Sequence, residues 1–224
     1  MLIGISGYSG SGKDTVGRII QYISCKSKEG IKLKDALNIE SDWWREEQSG
    51  WEIKKFAGKL KQIASILTGI PIDNFESQGF KSTLLGPEWD AKKFDPKSHS
   101  MQKVKMSVRD FLQKLGTDGL RTGLHSEVWI NALFADYVPD QEGNYPGWII
   151  TDVRFPNEFK AIKDRGGFVI RLNRPGLTPV NAHASEIALD DYQFDEVINN
   201  KGDLHELMDN IETTLKRREY YSIK

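Results

Sequence analysis

The stretch GYSGSGKDT, residues 7–15, constrains this chain more than any other. It follows a short apolar run, LIGIS (2–6), and precedes apolar residues at helical spacing, so it joins a predicted buried strand to a predicted helix over about 13–25. Glycines let the backbone bend around an anion so that successive N–H groups point inward, and the helix N-terminus adds a partial positive charge. In this context, the spacing Gly7-x4-Gly12-Lys13 predicts a phosphate-binding loop rather than a plain Gly/Ser turn.

One residue of this loop departs from the usual pattern. Asp14 stands where a Ser or Thr hydroxyl ordinarily contacts Mg²⁺. A carboxylate is also a hard oxygen ligand, so Asp14 could contact Mg²⁺ directly or through water, while the Thr15 hydroxyl is suited to the α-phosphate. An acid in the first helical turn is also favoured by the helix dipole alone. The substitution therefore does not rule out nucleotide binding.

Composition limits the class of protein. The chain has 224 residues, 38% of them apolar and 28% charged, which is typical of a globular protein. Its formal net charge of −1 gives no general attraction to nucleic acid or to an anionic membrane. Cys25 is the single cysteine, so no intrachain disulfide can form, and no metal-binding cluster is evident. No apolar run approaches the ~20 residues that span a bilayer, and no signal peptide precedes the loop, so we expect a cytoplasmic protein.

Predicted strands and helices alternate along the chain, which favours a mostly parallel sheet with helices on both faces. We expect a single domain over 1–224, with a mobile insert at about 70–106 and a lid loop at about 173–187. The helix from 108 is expected to break at Gly116, and a second helix over about 126–137 to start at a Ser126 cap. The residue pattern leaves the conformation of 26–50 open.

A second polar cluster follows the apolar strand GWIITDV (147–153). Asp152 lies at the carboxyl end of this strand, where the nucleotide crevice of an α/β sheet forms. It is suited to hold a water ligand of magnesium, and Arg154 just beyond it could grip an acceptor phosphate with two hydrogen bonds. A strand-end turn carrying a surface Arg–Glu pair is the structural alternative.

Seven segments in order resemble the phage-type deoxynucleoside monophosphate kinases, which have the P-loop nucleoside monophosphate kinase fold. They are SGKDT (11–15), KKFAGKLK (54–61), SVRDFLQKLGTDGLR (107–121), SEVWINAL (126–133), TDVRFPNE (151–158), RLNRPG (171–176) and HASE (183–186). The resemblance runs from residue 1 to about 215, and GKDT and LGTD with a downstream tryptophan are its most specific parts. It implies a three-layer P-loop α/β fold with an acceptor-binding insert and a lid. It also implies transfer of the γ-phosphoryl of ATP to a deoxynucleoside monophosphate with Mg²⁺, and that Asp14 is a normal feature of the family.

The resemblance also assigns residues. The predicted ATP-binding residues are Gly10, Ser11, Gly12, Lys13, Asp14, Thr15 and Arg174. The predicted acceptor-binding residues are Phe56, Ala57, Lys59, Arg109, Gly116, Thr117, Arg121, Trp129 and Arg154. Lys13, Asp152 and Arg154 are the predicted catalytic residues, and Asp14 and Asp152 the predicted metal ligands.

Several assignments have structural alternatives. Gly116 also fits a helix cap and Arg109 a helix-surface ion pair, and core packing explains Trp129 as well as base stacking does. His183 is left out of the catalytic set, because phosphoryl transfer depends more on positioning and charge than on a base.

Two other functions remain open at this stage. One is a P-loop kinase for another phosphorylated small molecule, such as phosphomevalonate, since the fold does not fix the acceptor. The other is a noncatalytic regulatory module that binds ATP. The predicted partners are ATP and a deoxynucleoside monophosphate, in the host cytoplasm if the protein is viral. Oligomeric state cannot be read from the residues, and a homodimer stays open.

Overall fold

The structure is a computed structural model that describes residues 1–25, 32–38, 47–139, 146–178 and 187–218. The chain divides into two compact units, the first formed by Met1–Phe56 with Phe134–Lys224 and the second by Ala57–Leu133. No helix within the described ranges is long and apolar enough to cross a membrane.

The elements are as follows, in chain order for each type. The strands are β1 (Leu2–Ser6), β2 (Trp51–Lys54), β3 (Ala91–Asp95), β4 (Ser100–Val104), β5 (Gly147–Val153), β6 (Phe168–Asn173) and β7 (Glu196–Asn199). The α-helices are α1 (Lys13–Ser24), α2 (Leu33–Asn38), α3 (Ala57–Thr68), α4 (Gln78–Lys81), α5 (Val108–Gln113), α6 (Val128–Phe134), α7 (Pro156–Lys163) and α8 (Leu204–Arg217). Short 3₁₀ helices cover Ile72–Glu76 and Pro87–Trp89, and a π-helix covers Lys114–Thr122.

The first unit is built on a parallel sheet in the order β2-β5-β1-β6-β7. All five residues of β1 are buried, as are the first five of β5 and of β6, which explains why these strands are continuous apolar runs. Ile3 and Ile5 pack in one core cluster with residues of α1 and α8. Gly4 faces the other way, because a Cβ there would lie 2.8 Å from the side chain of Ile162 in α7. Helices therefore cover both faces, and the predicted α/β class is confirmed.

This arrangement brings the carboxyl ends of neighbouring strands to one edge. β1 is the central strand, and it runs directly into the glycine loop and α1. β5 lies on one side of β1 and β6 on the other. Residues that follow β5, β6 and β7 are therefore placed around the glycine loop, as in other open α/β sheets.

The second unit has its own apolar cluster, formed by Ala64, Phe75, Val108 and Phe111. α5 begins at a capping box, in which the Ser107 hydroxyl accepts from the Asp110 N–H and the Asp110 carboxylate accepts from the Ser107 N–H. β3 and β4 pair only with each other among the described strands, as an antiparallel hairpin.

The structure corrects two predictions of local conformation and describes the segment 70–106. The chain does not break at Gly116, because α5 continues into the π-helix that runs to Thr122. The following helix, α6, begins at Val128 rather than at a Ser126 cap and ends at Phe134. The segment 70–106 contains short helices and the β3–β4 hairpin. Most of the predicted lid, together with His183, lies outside the described residues.

Candidate active site

The glycine loop adopts a conformation that its glycines make accessible. Gly10 and Gly12 have φ angles of 80° and 100°, in the left-handed region that side chains with a Cβ rarely adopt. At Gly7, a Cβ would lie 2.5 Å from the carbonyl oxygen of Leu172 in β6. The loop is therefore closely packed against the neighbouring strand, and its shape depends on these three positions.

Lys13, the first residue of α1, closes the loop. Its ammonium group donates to the carbonyl oxygens of Gly7 at 2.7 Å and of Tyr8 at 2.8 Å. A positive charge is thus held beside the loop at the N-terminus of a helix, where the helix dipole also favours an anion.

Ser11 supplies an independent indication that the loop is built to hold a ligand. Its side chain is 1% exposed, and its hydroxyl has no hydrogen-bond partner within the described parts of the chain. A buried hydroxyl without a partner is unfavourable, so such groups in native proteins usually bind water or a ligand. The loop offers this hydroxyl together with the N-terminal amides of α1, which fits phosphate oxygens.

The carboxylate of Asp14 is held by residues from two neighbouring strands. Its Oδ1 accepts from the Thr151 hydroxyl at 2.6 Å, and its Oδ2 pairs with the Lys55 ammonium at 3.2 Å. Partial desolvation acts to raise the pKa of Asp14, but Lys55, the Thr151 hydroxyl and the charge of Lys13 outweigh it. The net pKa of Asp14 is therefore lowered, and its carboxylate is ionised at neutral pH.

The second predicted cluster lies at the end of β5. Asp152 accepts the backbone N–H of Phe56 through Oδ1 at 2.8 Å. Glu158, which is 2% exposed, accepts the backbone N–H groups of Arg154 at 2.8 Å and of Phe155 at 3.1 Å through Oε2. Glu158 thus fixes the turn that carries Arg154 instead of serving only as a surface ion-pair partner.

A cavity of about 450 Å³ borders the loop in the first unit. Gly12 and Thr15 form one side, and Arg174, Asn200 and Lys201 are among the residues that line the rest. Arg174 donates to the Gly10 carbonyl at 3.2 Å, and the Asn200 amide donates to the Ser11 carbonyl at 2.9 Å. The cavity is therefore tied to the phosphate-binding loop by two hydrogen bonds.

Sequence reasoning missed Asn200 and Lys201, although a signal for them existed. They directly follow β7, and residues at the carboxyl end of a parallel strand lie at the same edge as the glycine loop.

Sequence reasoning also missed a network of side chains around Tyr8. The Tyr8 hydroxyl donates to Asp190 at 2.8 Å, and the buried Arg171 pairs with the same carboxylate at 2.7 Å and lies 4.8 Å from the Tyr8 ring centroid.

The second unit carries most of the predicted acceptor residues. Trp129 is 5% exposed, and its indole N–H donates to the Gly116 carbonyl in the π-helix at 2.9 Å. This contact supports a packing role, and base stacking by Trp129 stays a prediction. Arg121, also in the π-helix, donates to the Ser126 carbonyl at 3.5 Å. The remaining predicted residues of this unit are Ala57, Lys59, Arg109 and Thr117.

Phe56 is a predicted acceptor-binding residue that belongs to the first unit, and it is buried. Its side chain is 3% exposed and meets the Phe134 ring edge-on, with 6.2 Å between the ring centroids. Its role toward an acceptor stays a prediction.

The parallel sheet, the strand–loop–helix connection and the geometry of the loop define a P-loop α/β fold. The model of the deoxynucleotide monophosphate kinase family matches residues 80–211, more than half of the chain, and the chain belongs to this family. The matched segment begins after the glycine loop, so the loop geometry is a separate indication of nucleotide binding.

Individual relatives agree with this membership. The chain is 34% identical to the deoxynucleotide monophosphate kinase of Enterobacteria phage T4 over 110 residues, 49% of this chain and 46% of the relative. It is 26% identical to the deoxynucleoside-5'-monophosphate kinase of Escherichia phage T5 over 187 residues, 73% of this chain and 72% of the relative. A putative deoxynucleotide monophosphate kinase of Acanthamoeba polyphaga mimivirus is 34% identical over 103 residues, 42% of this chain and 53% of the relative. The match to the T4 protein thus spans just under half of that relative.

Proposed function

We propose that this chain is a kinase that transfers the γ-phosphoryl group of ATP to a deoxynucleoside monophosphate. The observation that carries the proposal is the family match over residues 80–211, together with a glycine loop of phosphate-binding geometry outside the matched segment. Named kinases of this family from phages T4 and T5 are similar to the chain. Because the named relatives are viral, the proposed location is the cytoplasm of the host cell.

ATP is proposed to bind entirely through the first unit. Its phosphates would lie along Gly10–Thr15, with the Ser11 hydroxyl and the amides of α1 as hydrogen-bond donors. Lys13 would turn from the loop carbonyls to the β- and γ-phosphates. The cavity beside Arg174 and Asn200 is large enough for part of a nucleoside, since ligand pockets begin at about 300 Å³.

The acidic residues at the loop fit the Mg²⁺ that such a kinase requires. Mg²⁺ is ordinarily bound by one or two carboxylates, with water and substrate phosphates completing its ligands. Asp14 and Asp152 are two carboxylates at the same sheet edge, one held by Thr151 and Lys55 and the other by the backbone N–H of Phe56. Mg²⁺ held there would offset negative charge on the transferring phosphoryl group.

The acceptor is proposed to bind through arginines and the segments of the family resemblance. Arg154, fixed by Glu158 at the end of β5, is the proposed ligand of the acceptor phosphate, because a guanidinium matches phosphate geometry. Phe56, Ala57, Lys59, Arg109, Gly116, Thr117, Arg121 and Trp129 are proposed as further acceptor-binding residues. Arginines suited to phosphate favour an acceptor that already carries a phosphate group.

The test is a coupled assay of ADP release with ATP and Mg²⁺ against dGMP, dTMP, dCMP, dAMP, their ribonucleotide forms and phosphomevalonate. We expect release that depends on deoxynucleoside monophosphates. If phosphomevalonate alone stimulates release, the chain is a kinase for another metabolite. If ATP binds but no acceptor stimulates release, the acceptor assignment fails and a nucleotide-binding regulatory module becomes the better explanation.

Lys13→Ala tests the loop directly. Removing a charge aimed at the transferring group should lower kcat by about a hundredfold or more, because electrostatic stabilisation of this kind contributes several kcal/mol. Lys160→Ala is the matched control, since Lys160 is an exposed lysine of α7 paired with Asp164. Unchanged turnover in Lys13→Ala would overturn the role of the loop.

A further inference from the structure

The carboxylate of Asp14 contacts two side chains, and the pairing of β2 with β5 brings these two side chains together. β2 pairs in parallel with β5 so that Lys54 lies opposite Ile150. Thr151 is the next residue of β5 and Lys55 directly follows the end of β2, and these are the two residues that contact Asp14. Both partners of the carboxylate are therefore fixed by the strand pairing.

The charges at this point need balancing once nucleotide binds. Asp14 places a carboxylate in the first turn of α1, beside the loop proposed to hold the phosphates of ATP. An anion there repels the phosphates unless a cation is close, and a hydroxyl at the same position would not. The proposed Mg²⁺ would be one such cation when bound, and Lys55 is one that belongs to the chain itself and is present with or without the metal. Lys13 is needed at the phosphates themselves. The Lys55 ammonium pairs with Asp14 at 3.2 Å, and the Lys55 side chain is 25% exposed and the Asp14 side chain 60% exposed. Solvent therefore screens the pair, and its strength should depend on ionic strength.

We propose that Lys55 is a positioning residue of the nucleotide site, which neutralises and orients the Asp14 carboxylate so that the loop accepts the phosphates of ATP. The inference rests on the proposed ATP site but not on the identity of the acceptor. Thr151 holds one carboxylate oxygen, Lys55 holds the other, and together they keep Asp14 in a single orientation. In this arrangement Lys55 is required because position 14 is an acid, and a hydroxyl at position 14 would make it dispensable.

The test is a double-mutant cycle on ATP binding, measured by calorimetry with and without Mg²⁺ and without any acceptor. Lys55→Met keeps most of the side-chain volume and removes the charge, and it should weaken ATP binding about tenfold, which corresponds to about 1.4 kcal/mol. Asp14→Ser restores the usual hydroxyl. In the Asp14→Ser background, Lys55→Met should change ATP affinity less than about twofold, because coupled residues are not additive.

The chain offers a matched control one residue away. Lys54 pairs with Glu52 and lies 5.0 Å from the Trp148 ring centroid, away from Asp14. Lys54→Met should leave ATP affinity unchanged. The weakening in Lys55→Met should also shrink at high salt, whereas a general packing defect would not respond to ionic strength.

Each outcome decides the proposal. An equal loss of affinity from Lys55→Met in both backgrounds means that Lys55 contacts phosphate or maintains the fold, and it overturns the inference. If Asp14→Ser itself abolishes binding, Asp14→Asn replaces it as the uncharged background: a much smaller effect of Lys55→Met there supports the role, and an equal loss overturns it. Absence of ATP binding in the wild-type chain overturns the ATP site as well, while binding without acceptor-dependent turnover affects only the proposed acceptor.

Discussion

At the scale of single residues, the buried carboxylate of Glu158 fixes the backbone that carries Arg154, the proposed ligand of the acceptor phosphate. Its Oε2 accepts two consecutive backbone N–H groups at the start of α7, those of Arg154 and Phe155. Pro156 at the first helical position has no N–H to satisfy. The carboxylate also lies at the helix N-terminus, where negative charge is favourable.

Glu158→Ala should lower the free energy of unfolding by about 3 kcal/mol, because hydrogen bonds to a buried charged group are stronger than neutral ones and their loss leaves donors desolvated. Glu158→Gln keeps one acceptor oxygen and should lose about 1 kcal/mol. Denaturant unfolding measures both. Glu212→Ala, which removes a surface pair with Lys216, is the control and should change stability by less than about 0.5 kcal/mol. Equal effects at both glutamates would contradict the role of Glu158.

Residue-scale sequence reasoning identified the glycine loop but not the contacts made by its members. Spacing alone located Gly7, Gly12 and Lys13, because the phosphate loop is a local motif. Lys55 and Thr151 lie far from Asp14 in the sequence, and their contact depends on which strands are neighbours. A single sequence contains no direct signal for that pairing.

At the scale of elements, the π-helix over Lys114–Thr122 is a feature that the sequence pattern did not predict. Gly116 was interpreted as a helix terminator, since glycine commonly ends helices. In the structure it lies inside the helical segment, where a Cβ would be 2.8 Å from Leu60 Cδ2. The glycine therefore permits close packing against α3, a tertiary reason that a local pattern does not reveal. π-helical turns are rare, and many of those known lie at functional sites, while the roles of Gly116, Thr117 and Arg121 toward an acceptor stay predictions.

Trp129 links α6 to the π-helix through one hydrogen bond, and this link can be tested. Trp129→Phe keeps an aromatic ring but removes the donor to the Gly116 carbonyl, so the free energy of unfolding should fall by about 1 to 3 kcal/mol. Trp89→Phe is the comparison for loss of ring size, since Trp89 packs edge-on against Phe111 at 4.9 Å. If Trp129 serves mainly to stack on a nucleotide base, Trp129→Phe will instead leave the free energy of unfolding unchanged and raise the KM for the acceptor.

At the scale of the whole molecule, the sequence predicts strands most clearly where consecutive residues are buried, and it gives no clear signal for strands that are exposed. β1, β5 and β6 are buried apolar runs, so their strand character is evident from composition alone. β3 and β4 are mostly exposed and carry several lysines, so no apolar pattern marks them. The strands at 2–6 and 147–153 were accordingly predicted, and the hairpin of the second unit was not.

The same difference in burial predicts how local stability is distributed along the chain. β1, β5 and β6 are each hydrogen-bonded to a neighbouring strand on both sides. Within the described ranges the β3–β4 hairpin has only its own ladder, with Phe94 53% and Met101 60% exposed, and a two-stranded hairpin is marginally stable in water. In hydrogen exchange followed by mass spectrometry, peptides from β1, β5 and β6 should exchange only through global unfolding. Peptides covering 91–104 should exchange through local opening, many times faster.

β7 provides the internal standard for that measurement. Among the described strands it pairs with β6 alone, at the edge of the large sheet, so its protection should lie between those of the hairpin and β5. Mild denaturant should accelerate exchange in β1, β5 and β6 steeply and leave the hairpin almost unaffected, because global unfolding exposes more surface than local opening does. Protection of 91–104 equal to that of β5 would contradict this distribution and would indicate that the hairpin is covered in solution by something beyond its own two strands.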